Sequence, residues 1–188
     1  MDLLQALQER RSIYNFKRDP VDKLTLSTIF TYASWAPTHY MKEPWRIHVY
    51  QGEGRKAFVH AIIASYERSG MIKRDQKGEK MKASMTDFLL AIPHHALIYF
   101  PIDADPIRYE EDYAAVSAFI QNAQLAAWTF DVGMLWTITP YMHDPAFYKD
   151  IGLDEQMKIA AVMQIGYPQK IPNSKPRTPI EDKLTFMT

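Results

Sequence analysis

Apolar residues recur along the chain in two spacings, one helical and one strand-like, and their alternation divides it into short elements. Leu3, Leu4 and Leu7 share one face of a helix predicted over Asp2 to Gln8, which runs into the polar cluster Arg10, Arg11, Ser12. Asn15 to Pro20 reads as a loop. A second helix starts near Asp22, with Leu24, Leu26, Ile29, Phe30 and Ala33 as its apolar face. It ends before Pro37, because the residue preceding a proline avoids the helical region. Ala36 to Pro44 is then a loop fenced by two prolines. Trp45 to Tyr50 alternates as a strand, Gly52-Glu53-Gly54 turns the chain, and a helix follows over about Arg55 to Arg68. Lys73 to Lys82 is polar and reads as a solvated loop and helix start, and a helix through Met85 to Leu90 leads to Pro93. His95 to Phe100 is a short apolar strand, followed by a loop from Pro101 to Pro106. The longest helical pattern runs from about Arg108 to Phe130, and Val116, Phe119, Ile120, Ala123, Leu125, Ala126 and Ala127 give it a broad apolar surface. Gly133 is expected to stop it. Met134 to Ile138 is another strand, Pro145 to Ile151 a short helix and Lys158 to Gly166 a buried strand. The tail has four prolines from Pro168 to Pro179, which forbids a regular element there.

Several helices and about four strands in mixed order predict an α+β fold with a mixed or antiparallel sheet. The 188 residues suffice for one sizeable core and fall short of two ordinary domains, so residues 1–188 are read as a single domain. The net charge of zero removes any global attraction to nucleic acid or to an anionic membrane. The absence of cysteine excludes disulfides, thiolate metal sites and a cysteine nucleophile, and fits a reducing compartment. The N-terminal MDLLQALQERR lacks the apolar core of a signal peptide, and no apolar run approaches the ~18 residues of a membrane span. A cytoplasmic location is therefore expected.

Most catalytic motifs can be discounted. Gly52-Glu53-Gly54-Arg55-Lys56-Ala57 matches a dinucleotide-binding G-x-G-x-x-A after a strand, and Asp75 lies at a fitting distance for the ribose-binding acid. Asp75 sits in MIKRDQKGEK, however, which is no strand, so the segment reads as a tight strand-to-helix turn. His94 and His95 are adjacent on a strand and point to opposite faces, and the other four histidines form no HxH or HExxH spacing. There is no GxSxG elbow and no GxxxxGK[ST] loop. What remains is scattered. Arg10, Arg11 and Ser12 offer fork donors and a hydroxyl to a phosphate, and Lys175 and Arg177 offer a second cationic point in the tail. Taken alone, each basic pair is more often solvated surface than site. His39, inside the double-proline loop, is similarly open to two readings, and Trp35 reads equally as a core residue.

In order along the chain, RRSIYNF, ASWAPTHYMKEPWRIHVYQG, AVSAFIQNAQLAAWTFDVGMLWT, VMQIGYP and KPRTPIEDKL resemble the nitroreductase family, and its compact branch above all. The resemblance implies a homodimer with intertwined subunits and two FMN molecules at the interface. It implies that Arg10, Arg11 and Ser12 grip the FMN phosphate and ribityl chain, and that Lys175 and Arg177 close on the same phosphate. It implies that Trp35, Pro37, Thr38 and His39 reach the flavin held mainly by the other subunit. The loop departs from the family's usual A-P-S-x-x-N-x-Q-P-W, with Thr38 in place of serine and Met41 and Glu43 at the asparagine and glutamine positions. Trp136, Thr137 and Ile138 would lie beside the isoalloxazine ring. The implied activity is oxidation of NAD(P)H and ping-pong reduction of small electron-poor acceptors such as nitroaromatics or quinones, with no side chain acting as nucleophile or base. A flavin carrier or sensor with little turnover would have the same sequence, and a structural α+β domain without flavin is a third reading.

Overall fold

The computed structural model describes residues 2–187. Its elements follow the chain as α1 (Leu3–Glu9), α2 (Lys23–Ala33), β1 (Arg46–Tyr50), α3 (Gly52–Arg68), α4 (Gln76–Ala91), β2 (His94–Pro101), α5 (Pro106–Thr129), β3 (Gly133–Thr137), α6 (Pro145–Asp150) and β4 (Met157–Gly166). Aspartate starts most of the helices. Asp2, Asp22, Asp75, Asp105 and Asp144 each accept a backbone N–H from the first turn at 2.7–3.0 Å, satisfying a donor that has no partner inside the helix. Asp75 is thus a helix cap, and Gly52-Glu53-Gly54 is itself the first turn of α3, which follows β1 directly.

The four strands pair antiparallel in the order β1-β2-β4-β3. Because side chains alternate along a strand, the sheet has two buried faces. One face packs Leu97 and Val162 against Phe58 and Ile62 of α3 and Phe147 of α6. The other packs Ile98 and Met163 against Ile29 of α2 and against Phe119 and Ile120 of α5. Phe119 also stacks on Phe30 and on Trp45, with ring centroids 6.2 and 5.0 Å apart. The adjacent histidines serve these two faces. The buried His94 Nε2 accepts the Val21 N–H at 2.9 Å, and the buried His95 Nε2 pairs with the Leu89 carbonyl at 3.0 Å.

Several expectations need correction. Leu3, Leu4 and Leu7 are 64%, 71% and 49% exposed, and α1 is held on α5 through Ala6, the residue the leucine pattern passes over. Leu24 also faces outward from α2. One continuous helix, α4, joins the helix start expected within Lys73 to Lys82 to the helix expected around Met85; its surface is so polar that only Gly78 and Leu89 are buried, which hid that continuity. Gly133 does not stop α5. Asp131 takes the left-handed conformation (φ 58°), and the Val132 and Asp131 N–H groups close back on the Ala127 and Trp128 carbonyls at 2.9 and 3.3 Å, a Schellman ending. Gly133 instead opens β3, where a Cβ would meet Ile13 Cγ1 at 2.5 Å. The tail carries one short 3-10 turn at Ile180–Asp182. Among the described residues, no helix is long and apolar enough to cross a membrane.

Candidate functional site

The site begins where α1 ends. After Arg10 the chain extends, and Ser12 bridges Met134 in parallel while the Ile13 N–H donates to the Met134 carbonyl at 3.1 Å. This fixes Arg10, Arg11 and Ser12 against the outer edge of β3. The return segment after β4 then lies antiparallel to the next residues: the Lys17 N–H donates to Tyr167 at 2.8 Å and the Gln169 N–H to Asn15 at 2.9 Å. That pairing delivers the proline-rich tail to the end of α1. Arg10, Arg11, Ser12, Lys175 and Arg177 consequently line one cavity of about 560 Å³, joined by Tyr14, Asn173 and Ser174, and no carboxylate lines it. The volume lies within the range of small-ligand sites.

The two arginines are held differently. Arg11 donates to the Gln8 and Arg10 carbonyls at 2.6 and 2.9 Å, so part of its fork caps the end of α1. Arg10 donates one N–H to Gln124 Oε1 of α5 at 3.3 Å. Burial lowers the pKa of the Arg10 guanidinium, and the like charges of Arg177 and Arg11 lower it further. Both causes disfavour a cation that remains charged at neutral pH, and an anion in the cavity would relieve the repulsion.

The double-proline loop lies at the opposite end of α5. Lys42 donates from Nζ to Asp112 at 2.6 Å and to Asp103 at 3.2 Å, and Asp112 is 3% exposed. These carboxylates raise the Lys42 pKa, chiefly through the Asp112 hydrogen bond. Thr38 Oγ1 accepts the Glu43 N–H at 3.0 Å, and His39 Nδ1 lies 3.4 Å from Glu111. Tyr40, Met41 and Glu43 all have positive φ (49°, 54° and 45°), an uncommon conformation for residues other than glycine. The loop projects Tyr40 (94% exposed) and Met41 (76%) into solvent, and Trp35, just before it, is 83% exposed. Trp35 is therefore no core residue of its own chain. Pro37 and His39 are exposed as well, and Thr38 is half-buried.

Trp136, Thr137 and Ile138 lie two to four residues beyond Met134, the partner of Ser12, and so about 7–13 Å along the strand from it. Thr137 donates to the Val162 carbonyl at 2.7 Å, Ile138 is 60% exposed, and the buried Trp136 Nε1 has no hydrogen-bond partner among the described residues. The structure therefore gathers the five phosphate candidates in one cavity. It leaves Trp35, Pro37, Thr38, His39, Trp136, Thr137 and Ile138 outside that cavity's lining.

Two buried polar residues of α5 escaped the sequence reading. Asp112 and Gln124 belong to the i+4 row that also contains Val116, Ile120 and Trp128, all buried. A polar residue within such a row is a readable signal, because burying it requires a partner elsewhere. Here the partners are Lys42 and Arg10. No group of three or more His, Asp or Glu side chains among the described residues could hold a metal ion.

The model of the Nitroreductase family matches residues 7–167. A Bacillus subtilis protein, YfhC, whose name assigns it provisionally to the NAD(P)H nitroreductases, is 34% identical over 98% of this chain and 94% of its own. The crystal structure of a nitroreductase-like family protein from Bacillus cereus superposes with a TM-score of 0.90 at 34% identity, covering 100% of this chain and 96% of that one. A nitroreductase from a Sphigopyxis strain, NfnB, described as FMN and NADPH-dependent, shares the fold at a TM-score of 0.81 and 18% identity over the whole of both chains.

Proposed function

Because this chain belongs to the nitroreductase family, we propose that it is an FMN-dependent NAD(P)H oxidoreductase acting on small electron-poor acceptors. The observation that carries this reading is the cavity at the end of α1, where four cationic side chains meet without a carboxylate. Such a donor set fits a dianionic phosphate monoester, the group that distinguishes FMN from riboflavin. Bound there, the flavin supplies the redox chemistry itself, a two-electron exchange between NAD(P)H and a nitroaromatic or quinone in alternating turns.

The side chains bind and orient. Arg10, Arg11, Lys175 and Arg177 hold the phosphate, and the Ser12 hydroxyl donates to it. Trp136, Thr137 and Ile138, farther along the edge of β3, would lie beside the bound ring. The loop from Trp35 to His39 serves the flavin of a second subunit, which supports a homodimer with the sites at its interface. The outward Leu3, Leu4 and Leu7, which share one short helix, favour that assembly, since clustered exposed apolar side chains mark association. Light scattering is then expected to give twice the 21.8 kDa chain mass.

The purified protein should be yellow, should release FMN and not FAD on denaturation, and should oxidise NADH or NADPH steadily when a quinone or nitroaromatic is added. A colourless chain that takes up no added FMN would refute the proposal. A yellow chain without turnover would leave flavin carriage or sensing as its role.

A further inference from the structure

Gln124 stands in the C-terminal third of α5, 5% exposed, in a row whose neighbours Val116, Ile120 and Trp128 pack as apolar side chains. An apolar residue of equal length would fill this position without the cost of burying an amide. The amide is used in two directions. Its oxygen accepts Arg10 Nη1 at 3.3 Å and its nitrogen donates to Gln121 Oε1 at 3.4 Å. Arg10 is half-buried beside two other arginines, and no carboxylate lines the cavity they share. Without an acceptor behind it, a long cationic side chain in that field gains by swinging out into water. With a carboxylate behind it, the fork would stay but its charge would be cancelled by a built-in counter-ion.

We infer that Gln124 is a positioning residue for the cofactor phosphate, a neutral buried acceptor that fixes the Arg10 fork in the cavity while leaving its charge uncompensated. The inference rests on the FMN reading above and adds to it the device that keeps the phosphate subsite electropositive. One of the five guanidinium donors is spent on the amide, and the others remain for the ligand.

The test is the ratio of the dissociation constants for riboflavin and FMN, measured by titrating the flavin-free full-length chain with each. General destabilisation weakens both ligands together and leaves the ratio unmoved. Gln124→Glu is expected to cut the FMN preference about tenfold or more, because the introduced carboxylate pairs with Arg10. Gln124→Met keeps length and packing but removes the acceptor, and is expected to cut it about threefold; it carries the test alone if the glutamate variant does not fold. Made on an Arg10→Ala background, Gln124→Met should change the ratio no further. An unchanged ratio in the folded variants, or a methionine effect that persists in full without Arg10, overturns the role of Gln124 while leaving the FMN reading intact. A parent chain that binds FMN no better than riboflavin fails the phosphate site itself, and this inference with it, before any variant is made.

Discussion

Replacing Lys42 by methionine keeps the aliphatic stem and deletes the ammonium that neutralises Asp112. The Asp112 side chain is 4% exposed, whereas that of Lys42 is 41% exposed, so the pair is buried at one end and solvated at the other. Breaking a fully buried pair costs about 3–5 kcal/mol, and an exposed pair contributes about 0–1 kcal/mol. The geometry lies between these limits, and about 2 kcal/mol is expected for Lys42→Met. In a chain of this length that lowers Tm by about 4–8 °C. Asp112→Asn should cost far less, because an amide needs no counter-charge, and the double variant should recover most of what Lys42→Met loses. Urea denaturation of the flavin-free chain at neutral pH gives all three values. The loop adds a second readout. Left-handed conformations at Tyr40, Met41 and Glu43 persist only where the surroundings impose them, so Lys42→Met should also speed proteolytic cleavage between Thr38 and Pro44. A loss below about 0.5 kcal/mol would refute this account of the Lys42 pair, and so would a double variant as unstable as Lys42→Met alone.

Arg10→Ala should weaken FMN about tenfold or more and leave riboflavin unchanged, measured by titration, since charge-assisted bonds to phosphate contribute about 1.5–3 kcal/mol. In dimers mixing an Arg10→Ala, Arg11→Ala chain with a His39→Ala chain, about one tight FMN per heterodimer is expected if His39 serves the partner's site, because one pocket then carries every defect; no tight site at all would assign His39 to its own chain. Burial holds the His95 pKa down at about 4, below its ordinary 6.5. The unfolded chain therefore takes up a proton first, and stability should fall as pH drops from 6.5 towards 4, by up to about 3 kcal/mol from this group. A His95→Gln variant whose stability fell equally steeply over that window would exclude His95 as the cause. Gly133→Ala should destabilise by about 1–3 kcal/mol in a thermal melt, because its Cβ would overlap Ile13.

The strands were legible to within about a residue, because prolines and turns fence them and their side chains alternate. The orientation of α1 was not. Leu3, Leu4 and Leu7 define an apolar stripe, but periodicity does not say whether the surface facing it belongs to the same chain. Asp131 displaced Gly133 as the end of α5 because aspartate also tolerates the left-handed region, while a glycine demanded by close packing looks the same in sequence as one demanded by a turn. Each cationic donor of the cavity was visible from its residue type. Their meeting was not, since it depends on two backbone bonds, Lys17 to Tyr167 and Gln169 to Asn15, that join segments far apart in the chain. The family resemblance supplied that convergence where residue-level reasoning stopped. Gln124 and Asp112 could have been found as the polar members of a buried row, and were passed over because the surrounding small and branched residues dominate the pattern.

That row has a consequence for how the gene can change length. Asp112 and Gln124 are twelve positions apart, about 18 Å of helix, and one anchors the loop while the other anchors Arg10. A single codon inserted or deleted between them would turn one anchor by about 100° relative to the other, so that no packing of α5 could serve both partners. Substitutions along the outer side of α5 leave that phase untouched. Natural length variation should therefore collect in the exposed tail beyond Arg177 and avoid residues 112–124 altogether, and a library of random single-codon indels selected for bound flavin should show the same gap.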